Sequence, residues 1–387
     1  MRIAINLSMV RSEGLRSYLY GFIPALGQIA QKDEFLVFLP GQERRELQAQ
    51  LPENFELRGT EFGARVGRRL FWEQLVLPWR LRMWRTDVLF SPFDLTPLLF
   101  SPAVLGVRNP LPLLRKMGRV EKIGQTDQIG GNKFSARVHH ALSWLSCRKA
   151  RAVFYPSNYA ARNLGDLMGV KTEKRSTIYH GVDRKIWSGR RNTESILNAY
   201  QVQGRRFFLF VSTLYRYKRP DLLVEAFYKI KHQKAVDGFR VVIVGRFRDA
   251  EFEREMRMKV SALHLEEAVR LVGNIPTHDV AALYQECLAM VLPTTMETFG
   301  QPFVEAMVAG APILCADTEF AREICGEAAW FFKANDCESL ASGMLRSITD
   351  SSGIAWLRGA GMAQSQRFSW TREAGETLAL LKRVGTG

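Results

Sequence analysis

ETFGQPFVEAM, Glu297–Met307, sets two glutamates eight residues apart around a Phe-Gly-Gln-Pro break. The run just before it, AMVLPT, is short and apolar and reads as a buried strand. Gly300 permits a close backbone approach, and Pro302 suits the first position of a helix. Glu297 is therefore expected on a strand-to-helix loop, and Glu305 in about the first turn of the helix. A helix N-terminus offers free N–H groups and a positive dipole end to an anion. Ionised carboxylates only accept hydrogen bonds, so their partners are hydroxyls or cations. A ligand with a diphosphate in its middle and hydroxyls on both sides, such as a nucleotide-sugar, meets all three demands. Acids near a helix start also occur for dipole reasons alone, so the surroundings must decide.

Outward from this stretch, strands and helices alternate. Downstream come PILCAD, AREICG, AAWFF and CESLASGMLRSIT; upstream come RFFLFVST, RPDLLVEAFYKIKH, FRVVIVG, DAEFEREMRMKVSALH, VRLVG and HDVAALYQEC. A similar rhythm fills the first half: MRIAINLS, a helix from Tyr18 to about Ile29, EFLVFLP, DVLFSP, AVLGV, a helix through HHALSWLSCRKA, AVFYPS, NYAARNLGDLMG and STIYHGVD. Asn158 fits a helix N-cap and Gly169 a helix stop. Residues 111–135 are basic and glycine-rich with little periodicity and read as a loop. This alternation predicts an α/β protein with two parallel sheets built from right-handed crossovers. The expected domains are residues 1–183, a polar linker at 184–204, residues 205–368, and a final helix at 369–387 that can pack back on the first domain. Two Rossmann-like domains facing across a cleft would bind ligands beyond the carboxyl ends of their strands.

The bulk figures agree with a globular protein of two domains: 387 residues, 47% hydrophobic and 24% charged. Five cysteines form no C-x-x-C and are odd in number, which reads as reduced thiols rather than a disulfide frame or zinc site. The N-terminal apolar run is broken by Asn6 and Arg11, unlike a signal peptide, and no apolar run approaches ~18 residues. A cytoplasmic protein, peripheral at most on the inner face of a membrane, is expected. The net charge of +15 is uneven: residues 1–200 hold 31 Lys/Arg against 17 Asp/Glu, residues 201–387 hold 23 against 22. A basic first half suits an anionic partner, or is a solvated basic surface.

The stretch TMETFGQPFVEAMVAGAPIL resembles the E-x7-E signature of the family 4 retaining glycosyltransferases, which have the GT-B fold. FVSTLYRYKRPDLLVEAF, IYHGVD, FWEQLVLP, DVLFSP, SNYAARNL and FSWTREAGETLALLKRV resemble other landmarks of that family, in the right order over nearly the whole chain.

The resemblance implies a nucleotide-sugar donor, UDP- or GDP-linked, held by the C-terminal domain. Glu305 would bind the ribose hydroxyls and Glu297 would sit by the sugar. Backbone N–H groups of Phe299, Gly300 and Gln301 would contact sugar or phosphate. Lys218 would neutralise the departing diphosphate, since a fixed cation lowers the barrier to building charge there. Thr213 stands five positions before Lys218, where the family has an arginine; Arg216 or Arg219 are candidates to replace that charge. Of the family's Gly-Gly in the N-terminal loop only Gly14 is present. Asn109 falls near the family's sugar-side histidine, and Arg16 with Asn109 is an acceptor-side candidate. His180, in the YHGVD turn, reads as structural, its imidazole bonding to backbone. Asn274 and Gly245 fall where the base is contacted. Transfer would retain the anomeric configuration, with no cofactor and no metal: acids of D-x-D type are missing from the strand ends and six scattered histidines make no ligand cluster. The acceptor would be a glycan or lipid-linked glycan of cell-surface polysaccharide or lipopolysaccharide biosynthesis.

GARVGRRLFWEQLVLPWRLRMWR interleaves Arg65, Arg68, Arg69, Arg80, Arg82 and Arg85 with Phe71, Trp72, Trp79 and Trp84. That mixture suits an anionic membrane surface; alternatively Trp72 and Leu77 are core and the arginines merely solvated. A sugar-nucleotide epimerase of the same fold, or an inactive scaffold, are the rival readings. The charge also raises nucleic acid as a partner, but no recognition motif supports it.

Overall fold

The computed structural model describes residues 1–8, 13–62, 66–110, 112–113, 133–189, 193–202 and 206–387. The predicted loop at 111–135 and Arg65 lie largely or wholly outside them. The chain divides into two compact units: one takes in the described residues up to Val182 together with Phe368–Gly387, the other Asp183–Arg367.

The first unit carries β1 (Arg2–Asn6), β2 (Glu34–Pro40), β3 (Phe55–Thr60), β4 (Val88–Ser91), β5 (Ala103–Gly106), β6 (Ala152–Tyr155) and β7 (Arg175–Thr177). They form one sheet in the order β3-β2-β1-β4-β5-β6-β7, and each neighbouring pair is parallel. The second unit carries β8 (Phe207–Val211), β9 (Arg240–Val244), β10 (Val269–Gly273), β11 (Ala289–Leu292), β12 (Ile313–Ala316) and β13 (Trp330–Phe332). Their order is β10-β9-β8-β11-β12-β13, again all parallel. The expectation of two parallel Rossmann-like sheets is met. Central strands such as β4, β5, β6, β11 and β12 are buried at every position, because crossover helices cover both faces.

The two orders share one feature. Strand order reverses between β1 and β4 and between β8 and β11. Connections leaving two such neighbours diverge to opposite faces, which opens a crevice at their carboxyl ends.

In the first unit, the helix Trp370–Gly385 packs on the helix Glu13–Ile29. A Cβ at Gly21 would lie 2.2 Å from the Trp370 indole, so glycine allows the approach. The buried Glu373 accepts from the Gly181 N–H at 2.8 Å, meets His180 Nδ1 at 3.0 Å and faces Arg108 at 3.5 Å. His180 is thus held at a carboxylate, whereas backbone bonding was expected. Burial, then the Arg108 charge, lowers the His180 pKa against the pull of Glu373.

Other local expectations shift. Ser157, not Asn158, caps its helix, accepting from Ala160 N–H at 3.0 Å. Gly169 does follow that helix, at φ +64°. Of STIYHGVD only Ser176 and Thr177 join the sheet, as part of β7. Residues 184–204, expected as a linker, contain the helices Arg184–Ser188 and Thr193–Ala199, packed within the second unit against the helix Thr277–Glu286. No described helix is long and apolar enough to cross a membrane.

Candidate functional site

The second sheet's reversal point lies between β8 and β11, and the loops after these strands carry the candidate residues. After β8 the chain makes a single 3-10 turn, Arg216–Lys218, closed by Lys218 N–H on the Tyr215 carbonyl at 3.0 Å. Arg219 then adopts a left-handed conformation at φ +58°, and Pro220 opens the helix Pro220–Ile230. This turn buries the Lys218 side chain. After β11, Thr294 Oγ1 donates to the Met296 carbonyl at 3.1 Å, which ties the loop down before Glu297.

The two loops meet. Lys218 Nζ donates to Glu297 Oε1, and both side chains are almost fully buried. The Lys218 ammonium also lies 5.1 Å from the centre of the Tyr217 ring. Tyr217 itself is pushed up by burial and then by the Glu297 charge. Breaking such a pair from one side leaves an uncompensated buried charge. Either residue would need a new partner of the right sign when the other is drawn away.

Gly300 starts the next helix, Gln301–Ala309, at φ +84° and ψ +60°. A Cβ there would stand 2.6 Å from the Phe303 ring, so both conformation and space require glycine. Pro302 is the second helical residue rather than the first. Glu305 is the fifth, one residue deeper than a start at Pro302 would place it. The residue is half-buried, and desolvation alone pushes its carboxyl up to about 8. Among the described residues no hydrogen-bond or ion-pair partner is found for it. The Glu305 charge is felt by Tyr284, whose hydroxyl is fully buried and also without a partner among the described residues. Trp187 packs edge-on to the Tyr284 ring at 5.7 Å.

The remaining candidates scatter. Arg216 forms a two-pronged pair with Glu255 and faces Asp249 at 3.4 Å, its guanidinium 4.9 Å from the centre of the Phe252 ring. Arg219 pairs with Asp221 at 3.1 Å and donates to Asn335 at 2.7 Å. Both guanidinium groups proposed to replace the absent arginine are thus held by carboxylates. Thr213 is exposed after β8, and Asn274 is exposed after β10. Gly245, after β9, is pressed against Ser212: a Cβ would fall 1.7 Å from its carbonyl oxygen. Phe299 is buried and Gln301 half-buried.

Three candidates belong to the first unit. Gly14 lies in the first turn of the helix Glu13–Ile29, where a turn was expected. Arg16 is exposed and pairs with Glu43 at 3.2 Å. Asn109 follows β5; its backbone N–H and that of Arg108 help hold Asp94, which burial pushes up to about 6. Tyr217 and Tyr284 were not anticipated. Tyr217 adjoins Lys218 in sequence, which was the available signal; Tyr284 gave none, since a buried tyrosine in an apolar helix reads as core. Among the described residues no three His, Cys, Asp or Glu side chains gather as a metal site would require.

Residues 193–355 match the family described as Glycosyl transferases group 1. The O-antigen chain mannosyltransferase B of Escherichia coli is 26% identical over 187 residues, 48% of this chain and 48% of that protein. The O-antigen chain mannosyltransferase RfbU of Salmonella typhimurium is 24% identical over 200 residues, 51% of each. The chain thus spans about half the length of these curated relatives. Likeness of fold extends further. Anabaena Alr3699/HepE in complex with UDP and glucose superposes with a TM-score of 0.73 at 19% identity, covering 99% of this chain and 100% of that one. WaaG, a glycosyltransferase involved in lipopolysaccharide biosynthesis, gives 0.69 at 13% identity, covering 98% and 99%. With its two parallel sheets and these structural likenesses the chain has the GT-B fold, and its residues 193–355 match the group 1 glycosyl transferases.

Proposed function

We propose that the protein transfers a hexose, with retention of configuration, from a UDP- or GDP-sugar to a glycan or lipid-linked acceptor in the building of a cell-surface polysaccharide or lipopolysaccharide. The observation that carries the donor reading is Glu305. A half-buried carboxyl without a partner among the described residues, pushed up to about 8 by desolvation, is costly in the empty protein. Two hydroxyls of a ribose would supply the missing donors. The helix start at Gly300–Gln301 offers N–H groups to the diphosphate, and Lys218 offers the cation. As the sugar–phosphate bond breaks, negative charge grows on the leaving group and draws Lys218 toward it. Glu297, released from Lys218, accepts from the sugar's hydroxyls. The O-antigen mannosyltransferases and the complex with UDP and glucose among the similar proteins support a hexose donor. The enzyme would work at the inner face of the membrane.

The test is thermal stabilisation across UDP-, GDP-, ADP- and dTDP-sugars, with Glu305→Ala as control. Saturation to ~100-fold over Kd adds about 2.7 kcal/mol. A shift with one nucleotide class, lost in the variant, identifies the base. No shift with any class refutes the donor site.

A further inference from the structure

The first unit's basic, tryptophan-rich stretch folds as one helical run: an α-helical part Val66–Phe71, a π-helical part Trp72–Val76 and a second α-helical part Leu77–Met83. Pro78 explains the wide turn, because it cannot donate to the carbonyl of Gln74; Leu77 N–H instead reaches back five residues to the Trp72 carbonyl. The run lies along the sheet. At one end Glu73, fully buried, accepts from Asn6 Nδ2 at 2.9 Å at the carboxyl end of β1. At the other, the Trp84 carbonyl accepts from Arg2 Nη1 at 3.4 Å at the amino end of β1.

One face of this run packs on the core through Leu77 and Leu81. The opposite face is apolar too. Phe71, Leu75, Trp79 and Met83 stand 61%, 52%, 60% and 69% exposed. Their spacing of four would drift by about 40° per step round an unbroken helix; the wider π turn takes part of that drift back. The file is about 18 Å long at 1.5 Å per residue. It extends sideways to Leu99, also exposed, whose carbonyl accepts from Arg82 at 2.5 Å. Beside it opens a groove of about 380 Å³ floored by Leu36, Phe38 and Trp84, walled by Trp79 and Met83, with Arg58 and Arg80 at its mouth. Arg80 has no acidic partner among the described residues. Between Phe62 and Thr86 there are six arginines and one acid, the buried Glu73.

Scattered exposed apolar side chains are ordinary; a file of four beside an apolar groove, flanked by one sign of charge, is not. A second copy of the chain is a poor occupant, since a two-fold contact would set these arginines against each other. An anionic bilayer answers both the apolar file and the charge. We propose that this face of the first unit lies on an anionic lipid surface, with Phe71, Leu75, Trp79 and Met83 entering the acyl boundary, Arg80 on headgroup phosphates and the groove taking an acyl segment. This goes beyond the donor reading and does not depend on it.

Vesicle flotation of the full chain tests it, using phosphatidylcholine alone and phosphatidylcholine with phosphatidylglycerol. The protein should float with the anionic vesicles and far less with the neutral ones. The double variant Trp79→Ser/Met83→Ser should lose about tenfold or more of the partitioning. Arg80→Ala should lose about fivefold at low salt, the deficit shrinking at high salt. Trp356→Ser, an exposed tryptophan of the second unit, should float as the parent does. All changed side chains are exposed, and melting curves with UDP-sugar shifts on the same samples check that each variant is folded. Equal flotation on both vesicle types, or a double variant that floats like the parent, overturns the proposal. So does a parent dimer that the double variant dissociates without any vesicle binding, which would make the face a contact between copies. A retained UDP-sugar shift with lost flotation keeps failure here distinct from failure of the donor site.

Discussion

Glu305→Gln should stabilise the ligand-free protein at alkaline pH and yet weaken donor binding. The carboxyl goes from an ordinary value of 4.5 in the unfolded chain to about 8 when folded. The folded state therefore holds a proton that the unfolded state has released, and stability falls as pH rises through that window. It is fully present below the unfolded value and is lost by the time pH passes the folded one. At about 1.4 kcal/mol per pH unit of difference, the loss between pH 5 and pH 9 is on the order of 4 kcal/mol. Glutamine cannot ionise and has nearly the same shape, so the variant escapes the loss. For a unit of this size, each kcal/mol moves the midpoint by about 2–4 °C. The variant should thus gain on the parent steadily from pH 5 to pH 9. The transition to follow is the one that UDP-sugar shifts. Parallel melting of the two proteins across the range would refute the argument that burial of this carboxyl is what costs.

The same reasoning fixes the ligand's behaviour. Hydroxyls donating to Glu305 favour its ionised form, so donor binding should release close to one proton near pH 7. Affinity should then rise with pH up to about 8 and level off. Calorimetry in buffers of different ionisation enthalpy reads the proton directly. Uptake of a proton, or none, would mean that the ribose does not lie on Glu305.

Glu297→Ala should abolish transfer with only a modest loss of donor affinity, whereas Glu305→Ala should mainly weaken binding; equal effects on both quantities would count against the division. Lys218→Ala should cost about 10²–10³ in turnover, measured at saturating donor. Gly300→Ala forces a left-handed β-carbon onto the Phe303 ring and should lower stability by about 1–3 kcal/mol, read by denaturant unfolding. Arg216→Ala removes a guanidinium already held by Glu255 and Asp249, so UDP-sugar affinity should stay within about twofold; a tenfold loss would return Arg216 to the phosphate site.

What the sequence made legible follows from range. The buried parallel strands are continuous apolar runs such as FFLFV and AMVL, and that signature needs no partner to be read. β3 escaped because only one of its faces is buried: Phe55 and Leu57 alternate with exposed Glu56 and Arg58. The helix Ser351–Gln364 escaped because its three glycines lower helix propensity; Gly361 is buried with Met307 within contact distance, so packing decides there instead of propensity. At the site, the meeting of Lys218 with Glu297 rests on the strand order, in which β8 and β11 are neighbours though 79 residues separate the two side chains. Local periodicity carries no such information, and a motif resemblance had to stand in for it. Where that resemblance had a gap, at Thr213, sequence proximity offered Arg216 and Arg219. Arg216 is claimed by Glu255, 39 residues on, and Arg219 by its near neighbour Asp221 and by Asn335. The exposed file on the first unit shows the converse. Its composition was plain in the sequence, but which aromatic rings face inward depended on the π turn before Pro78, a backbone choice set by one missing N–H. Charges in this chain are therefore best assigned by asking which carboxylate each one already serves, and apolar residues by asking which turn of the backbone last changed their direction.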